Sequence, residues 1–213
     1  MEITLKGLSK RFGGEWLFKN LSDHFALPGS WAITGPNGSG KTTLLQIIAG
    51  MIPPTQGVVE YQIQGRIVDP DLWYRHLWLS APYMELLEEL TLKELLEFHF
   101  RLKPPQDGIS VEEMAEYCQL SNARNKPLNK FSSGMKQRVK LALGFFSKVP
   151  VLLLDEPGTN LDAQGFEWYY RQVHQLLEEK LIIICSNQPK EYDFCSKLLD
   201  LGNVGPVSSV QKV

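Results

Sequence analysis

The order of apolar and amphipathic segments along the chain predicts an α/β fold with a mainly parallel sheet. Residues 151–154 and 181–185 are continuous apolar runs, typical of strands that are buried on both faces, and the second predicted strand extends to Ser186. Residues 166–180, between these runs, have helical periodicity. Residues 30–34 form a third apolar run, and a helical pattern over residues 42–50 follows it after a glycine-rich turn. Such alternation implies parallel strands joined by right-handed crossovers.

The middle of the chain, residues 84–144, is instead rich in Leu, Glu and Lys. Two of its segments, LKELLEFHFRL and SVEEMAEYCQL, are amphipathic at helical spacing, and Pro104, Pro105 and Gly108 separate them. The pattern therefore predicts a helical insertion of about sixty residues between strands. Shorter runs with strand character precede this insertion, at residues 2–5, 24–27 and 57–62.

Composition narrows the possible functions. The 213 residues are 43% hydrophobic and 22% charged, which is typical of soluble globular proteins. The net charge of −2 predicts no basic surface for nucleic acid, which is therefore not an expected partner. No apolar run approaches the ~20 residues of a membrane span, and the start lacks a signal-peptide pattern, so a cytoplasmic location is expected. Cys118, Cys185 and Cys195 show no CxxC spacing and are expected to be reduced thiols, two of them in or near the core.

The segment GPNGSGKT matches the pattern G-x-x-x-x-G-K-[ST] at every fixed position. Its glycines allow successive backbone N–H groups to surround phosphate oxygens. Lys41 is suited to the β and γ phosphates, and the Thr42 hydroxyl is suited to Mg²⁺. A chance glycine-rich turn is the alternative, but the predicted strand before it and helix after it favour a phosphate cradle. The expected ATP-binding residues here are Gly35, Pro36, Asn37, Gly38, Ser39, Gly40, Lys41, Thr42 and Thr43.

Two acids, Asp155 and Glu156, follow the apolar run 151–154 directly. Parallel α/β sheets bind ligands at the carboxyl ends of their strands. We therefore expect Asp155 to hold Mg²⁺ opposite Thr42, and Glu156 to polarise the attacking water. A solvated strand end is the alternative for two such acids, and the cradle upstream argues against it.

Three segments together, GPNGSGKTT, FSSGMKQR and LLLDEPGTNLD, resemble those of ATP-binding cassette (ABC) ATPases, and the resemblance covers nearly the whole chain. It implies a P-loop NTPase core with helices on both faces of the sheet, an N-terminal antiparallel β subdomain and an inserted α-helical subdomain. Residues 1–213 would form one domain. Within it, residues 1–82 and 146–213 would be the nucleotide-binding core, and residues 83–145 the helical subdomain with the signature motif.

The same resemblance gives roles to residues outside the cradle. Ser132, Ser133 and Gly134 open a basic helix whose N-terminus is an anion site, although a capped helix end is the plainer interpretation. In the family this helix end contacts the nucleotide held by a second cassette, across a head-to-tail dimer. Asp162 resembles the family's D-loop aspartate at that interface. Among the aromatic residues near the start, the adenine-stacking position falls on Phe12, and Trp16 is the competing candidate.

The sequence also departs from the family pattern. The Gln expected before the helical lobe is replaced by Pro82 or Tyr83. The expected switch His is replaced by Asn187, which can donate a hydrogen bond to the γ-phosphate but cannot take up charge. The signature has Ser133 for a Gly and Met135 for a Gln. We therefore expect MgATP binding, with slow and partner-dependent hydrolysis carried by Lys41, Glu156 and Asn187.

The resemblance implies the energy-supplying subunit of a membrane transporter, similar to small export-type cassettes such as haem exporters. Expected partners are a separate integral membrane subunit and a second copy or a related cassette, with the chain peripheral on the cytoplasmic face of the membrane. A groove around residues 82–100, containing Tyr83, Met84, Leu86 and Leu87, would receive a helix of the membrane subunit. Two alternatives remain open: a soluble ABC ATPase, for example in iron–sulfur assembly, and a weakly hydrolysing, nucleotide-gated module.

Overall fold

The computed structural model describes residues 1–106 and 108–202, and these residues form two sheets with helices packed against them. The first sheet is antiparallel, with strand order β2-β1-β4-β5. Its strands are β1 (Glu2–Phe12), β2 (Glu15–Ala26), β4 (Gln56–Ile63) and β5 (Arg66–Ile67). The second sheet is parallel, with order β6-β7-β8-β3-β9. Its strands are β3 (Gly29–Thr34), β6 (Leu77–Ser80), β7 (Val151–Asp155), β8 (Leu181–Cys185) and β9 (Lys197–Asp200).

Five α-helices connect and cover the strands in the described residues: α1 (Lys41–Ile48), α2 (Leu92–Leu102), α3 (Val111–Tyr117), α4 (Ser133–Phe145) and α5 (Ala163–Leu176). The second and third begin at capping boxes, in which Thr91 pairs with Glu94 and Ser110 pairs with Glu113. Helices α2, α3 and α4 all fall within residues 83–145, but the division into subdomains stays a prediction. None of the helices described combines the length and the apolar character needed to cross a bilayer.

The central strands β7 and β8 are buried along their whole length because each contributes to two hydrophobic cores. Leu152 and Leu154 point toward the core that contains α2 to α5. Val151 and Leu153 point toward the core that contains α1 and the antiparallel sheet. Successive side chains of a strand point to opposite faces of the sheet. Because both faces of these strands are covered by apolar cores, the residues that face either core are apolar, which explains the continuous apolar run in the sequence.

The structure agrees with the predicted α/β class, but several boundaries differ. The helix predicted over residues 166–180 is α5, which begins at Ala163 because the Asp162 side chain caps it. It ends at Leu176, and the buried Lys180 ammonium instead donates to the carbonyls of Ser147 and Val149 at 2.8 Å each. The third helix is shorter than the segment SVEEMAEYCQL suggested. Strand β9 was not predicted, because this short edge strand pairs on one side only and has two exposed residues.

The two strands at the start are also longer than the runs with strand character at residues 2–5 and 24–27. They span 11 and 12 residues, and their register shifts three times between Leu5 and Arg11. These irregularities break the simple alternation on which a strand prediction depends. Cys118 and Cys185 are buried free thiols, as predicted for two of the three cysteines.

Candidate nucleotide site

The predicted phosphate cradle connects the end of β3 to the start of α1. Gly35 has φ of 138°, and a Cβ there would lie 2.8 Å from Ser39 Oγ. Gly40 has φ of 96°, and its Cβ would lie 3.2 Å from the Phe18 ring. Both positions require glycine, because the backbone conformation is left-handed and the space is already filled. The loop therefore keeps the tight turn that directs its backbone toward a ligand.

Lys41 is the first residue of α1 and is 8% exposed. Its Nζ donates to the carbonyl oxygens of Gly35 at 2.8 Å and Pro36 at 3.2 Å. The ammonium group is thus folded back across the loop. An anion bound within the loop would lie next to this positive charge and to the N-terminal end of the helix.

Thr42 and Asp155 are in direct contact, since Thr42 Oγ1 donates to Asp155 Oδ2 at 2.7 Å. Burial raises the pKa of the Asp155 carboxyl, and the negative charge of Glu156 adds to this. The Thr42 hydrogen bond and the charge of Lys41 oppose it. The hydroxyl and the carboxylate are hard oxygen donors, and a divalent cation would offset the cost of the buried charge. These two residues therefore fit a bound Mg²⁺.

Glu156 differs from its neighbour in being exposed, and its φ is +46°. This left-handed conformation is uncommon for a residue with a side chain and often occurs at functional sites. The Thr159 hydroxyl donates to its carboxylate at 3.4 Å. Glu156 borders the same cavity as the cradle, with a volume of about 400 Å³. The residues that line this cavity are Phe12, Leu17, Asn37, Gly38, Gly40, Lys41, Thr42, Thr43 and Glu156.

The structure separates the two candidates for base stacking. Phe12 lines the cavity and is 54% exposed, with Lys10 Nζ 4.8 Å from its ring centre. Trp16 does not line the cavity, and the cations of Arg11 and Lys19 lie 5.6 and 4.8 Å from its ring. A purine base reaching out of the cradle would therefore meet Phe12 and not Trp16.

Asn187, two residues beyond β8, lies against the cradle. Its Nδ2 donates to Asn37 Oδ1 at 2.9 Å. The segments that follow β3, β7 and β8 thus meet at the carboxyl edge of the parallel sheet. The structure brings together there Lys41, Thr42, Asp155, Glu156 and Asn187.

The predicted signature residues lie in a different cavity, of about 180 Å³, which Asp162 also lines and which contains no cradle residue. Ser132 caps α4 by accepting from Met135 N at 3.2 Å, and Asp162 caps α5 by accepting from Gly165 N at 2.7 Å. A Cβ on Gly134 would lie 2.7 Å from the Asn160 carbonyl oxygen. Within one chain, Ser132 and Asp162 therefore act as helix caps, and Gly134 allows the start of α4 to lie close to the loop between β7 and α5.

The structure also shows contacts that the sequence did not indicate. Tyr83, one of the two candidates for the place of the expected Gln, follows β6 and lies beside the Gln46 side chain. Burial raises the pKa of the Tyr83 phenol, and the negative charge of Asp155 adds to this. Gln137 and Glu191 are buried polar residues next to the loop that follows Glu156. Gln137 lies within the segment FSSGMKQR but had no expected role there, and no motif marks Glu191. The partners of both are backbone groups 20 and 33 residues away, which no spacing in the sequence reveals.

Together, the glycine-rich turn between a parallel strand and a helix, the folded-back lysine and the Thr–Asp pair define a nucleoside-triphosphate-binding protein of the P-loop class. Comparison with known proteins identifies the family. The chain belongs to the ABC transporter family, whose model matches residues 18–159. The predicted class of ABC ATPase is therefore confirmed.

Curated relatives include both export and import proteins. The cytochrome c biogenesis ATP-binding export protein CcmA of Rhizobium meliloti is 30% identical over 89% of this chain and 92% of its own length. The uncharacterized ABC transporter ATP-binding protein YybJ of Bacillus subtilis is 30% identical over 99% of this chain and 97% of its own length. The sulfate/thiosulfate import ATP-binding protein CysA of Mannheimia succiniciproducens is 29% identical over 100% of this chain, which spans only 62% of that relative. The chain likewise spans 58% of YcbN of Bacillus subtilis.

Solved structures support the fold. A putative ABC transporter ATP-binding protein from Pyrococcus furiosus superposes with a TM-score of 0.80 at 20% identity, covering 96% of this chain and all of that one. The cassette MJ0796 was solved as a dimer in a post-hydrolysis state with ADP and phosphate. It has a TM-score of 0.79 at 24% identity, covering 94% of this chain and 95% of that one. These likenesses confirm the predicted α/β cassette architecture.

Proposed function

We propose that the chain binds MgATP and hydrolyses it as the energy-supplying subunit of an ABC-type membrane transporter. The observation that carries this proposal is the 2.7 Å contact between Thr42 and Asp155, beside a lysine folded over a glycine-rich loop. A hydroxyl, a carboxylate and an ammonium group in this arrangement match the charges of a metal-bound triphosphate.

On ATP binding, Lys41 would exchange its bonds to the loop carbonyls for the β and γ phosphate oxygens. Thr42 and Asp155 would hold Mg²⁺, which neutralises charge on the phosphates. Phe12 would stack against the base. Each of these residues lies at or beside the cavity next to the cradle, so we propose that binding needs one chain only.

Hydrolysis requires a water positioned on the γ-phosphate. Glu156 would orient this water and accept its proton as the new P–O bond forms and the bond to the bridging oxygen of ADP breaks. Asn187 would donate a hydrogen bond to the γ-phosphate from the other side of the cradle, where it already bonds Asn37. Since Asn cannot carry a proton away, we propose slow turnover.

A second cassette would complete the site, with Ser132, Ser133 and Gly134 directed at the nucleotide of the partner copy. This proposal agrees with the separate cavity that these residues line, and with the dimer seen for MJ0796. In this chain the free backbone N–H groups at the start of α4 would provide the anion contact. Asp162 would lie at the same interface.

The proposed membrane contact is the exposed part of residues 82–100. Tyr83 and Leu87 are exposed, 43% and 50% respectively, whereas Met84 and Leu86 pack against the two cores. Only the first pair is therefore free to contact a helix of an integral membrane subunit, which would hold the chain on the cytoplasmic face. Co-fractionation with membranes, lost in a Tyr83→Ser/Leu87→Ser variant that still binds MgATP, tests this. Fractionation of the unaltered chain as a free protein from its native cells would favour a soluble ABC ATPase instead.

The decisive test of the enzyme is phosphate release by the purified chain with its partner, compared with Glu156→Gln. This substitution keeps the shape of the side chain but removes the proton acceptor. We expect turnover to fall by a factor of ~10² or more, with unchanged MgATP affinity. Equal phosphate release by both proteins would refute hydrolysis and leave a nucleotide-gated binding module.

A further inference from the structure

Buried side chains hold the β7–α5 loop, residues 156–162, from two sides. On one side, Gln137 Nε2 of α4 donates to the Pro157 carbonyl oxygen at 2.9 Å. On the other side, the amide of Gly158 donates to Glu191 Oε1 at 3.1 Å. Gln137 is 3% exposed and Glu191 is fully buried. Both side chains are therefore shielded from competing water.

Glu191 is rigidly attached to the segment that contains Asn187. Its amide donates to the Gln188 carbonyl at 2.9 Å, and the amide of Gln188 donates to the Ser186 hydroxyl at 2.9 Å. The Tyr169 hydroxyl donates to the carbonyl oxygen of Glu191 at 2.8 Å. The backbone of Glu191 is therefore fixed to the segment beyond β8, and its carboxylate reaches from this segment to the loop.

The fit between Glu191 and the loop leaves no space at residue 158. A Cβ on Gly158 would lie 2.4 Å from Glu191 Oε1 and 3.1 Å from the Phe166 ring. The backbone of Gly158 is not in the left-handed region, so space and not conformation excludes a side chain here. Carboxylate and loop are thus in direct steric contact.

Burying a carboxylate is unfavourable unless hydrogen bonds or an opposite charge compensate the loss of water. In the described part of the chain Glu191 has no salt-bridge partner, and burial raises the pKa of its carboxyl. Hydrogen bonds from the Ser186 side chain and the Gly158 amide oppose this shift in pKa. An apolar side chain would fill the space at lower cost but could not accept from Gly158.

We infer that Glu191 is a positioning residue, whose carboxylate sets the distance between the loop that contains Glu156 and the segment that contains Asn187. Gln137 ties the same loop to the helix that begins after Ser132. One loop thereby fixes the relative positions of three groups. They are the proposed general base Glu156, the hydrogen-bond donor Asn187 and the start of α4 after Ser132. We call the contacts of Gln137 and Glu191 with residues 156–162 the loop clamp. Its consequence for catalysis rests on the proposed function, whereas the contacts themselves do not.

The test uses the full chain and breaks the contact from both partners, with Glu191→Ala and Gly158→Ala, singly and together. Glu191→Gln keeps an oxygen acceptor and serves as the conservative variant, and Glu178→Ala is the control at an exposed acid. The measurements are kcat, the Kd for MgATP, thermal unfolding, and amide hydrogen exchange over residues 156–162.

We expect Glu191→Ala and Gly158→Ala each to lower kcat by about tenfold while changing the MgATP Kd by less than about twofold. Glu178→Ala should leave both quantities unchanged. Amide protection of the loop should fall in both variants and persist in Glu191→Gln and Glu178→Ala. In the double variant the Cβ at residue 158 occupies the space vacated at residue 191, so the two effects should be clearly less than additive. If Glu191→Ala does not fold, Gly158→Ala and Glu191→Gln still give opposite expectations.

Unchanged amide exchange in Glu191→Ala and Gly158→Ala, or additive effects of the two substitutions on kcat, would overturn the inference. So would a loss of MgATP affinity parallel to the loss of kcat. If the unaltered chain shows no turnover, the proposed function fails. Loss of amide protection in Glu191→Ala but not in Glu191→Gln would then still support the clamp.

Discussion

The phosphate cradle and the β7–α5 loop lie side by side at the carboxyl edge of the parallel sheet, yet they are held in opposite ways. The cradle is held largely by its own bonds, such as Lys41 to the Gly35 carbonyl, only six residues apart. The loop depends on Gln137 and Glu191, which are 20 and 33 residues away from the groups that they bind.

Because of this difference, nucleotide binding and nucleotide hydrolysis should depend on different parts of the molecule. Every residue type that the cradle needs is present within residues 35–42, apart from Asp155. The departures from the ABC pattern lie outside the cradle, at Pro82 or Tyr83, Ser133, Met135 and Asn187. Affinity for MgATP should therefore be insensitive to changes around the loop, and turnover should be sensitive to them.

The largest expected effect tests whether the cradle is the binding site at all. Lys41→Ala removes the ammonium group and leaves the loop carbonyls with no partner among the side chains described. We expect the Kd for MgATP to rise by about 100-fold, equivalent to ~3 kcal/mol. Lys93→Ala, on the exposed face of α2, is the matched control. Tight MgATP binding by the Lys41→Ala protein, measured by calorimetry, would remove the basis of the whole functional proposal.

The contrast also explains what the sequence could predict. The cradle was predictable residue by residue, because its contacts are local and its backbone conformation demands glycine at fixed spacing. Asp155 and Glu156 were predictable from the buried strand before them. The loop clamp was not, because a buried Gln or Glu that binds a distant backbone group leaves no periodic or spaced pattern. Strand β9 escaped prediction for a similar reason, since its position comes only from pairing with β3.

A smaller effect should sharpen the boundary of the binding region. Phe12 belongs to β1 and is the part of the cavity most distant in sequence from Glu156. We expect Phe12→Ala to raise the Kd for MgATP by about tenfold through loss of stacking, and Trp16→Ala to change it by less than about twofold. The two variants remove aromatic side chains from the same sheet, so each controls for the other. A larger effect of Trp16→Ala would reverse the assignment of the stacking residue.

The smallest expected effect is a gain in turnover. It tests hydrolysis separately from the binding of MgATP. Asn187→His restores a group that can both donate a hydrogen bond to the γ-phosphate and take up a proton. If the missing imidazole limits the rate, turnover should rise by roughly three- to tenfold, while the Kd for MgATP stays constant. Asn187→Gln keeps an amide at this position and also disturbs the bond to Asn37, so it should show no gain. Turnover that is unchanged or lower in Asn187→His would move the cause of slow hydrolysis to Tyr83 or to the altered signature. Hydrolysis at the cradle would then depend mainly on the predicted helical subdomain, residues 83–145, and not on the segment beyond β8.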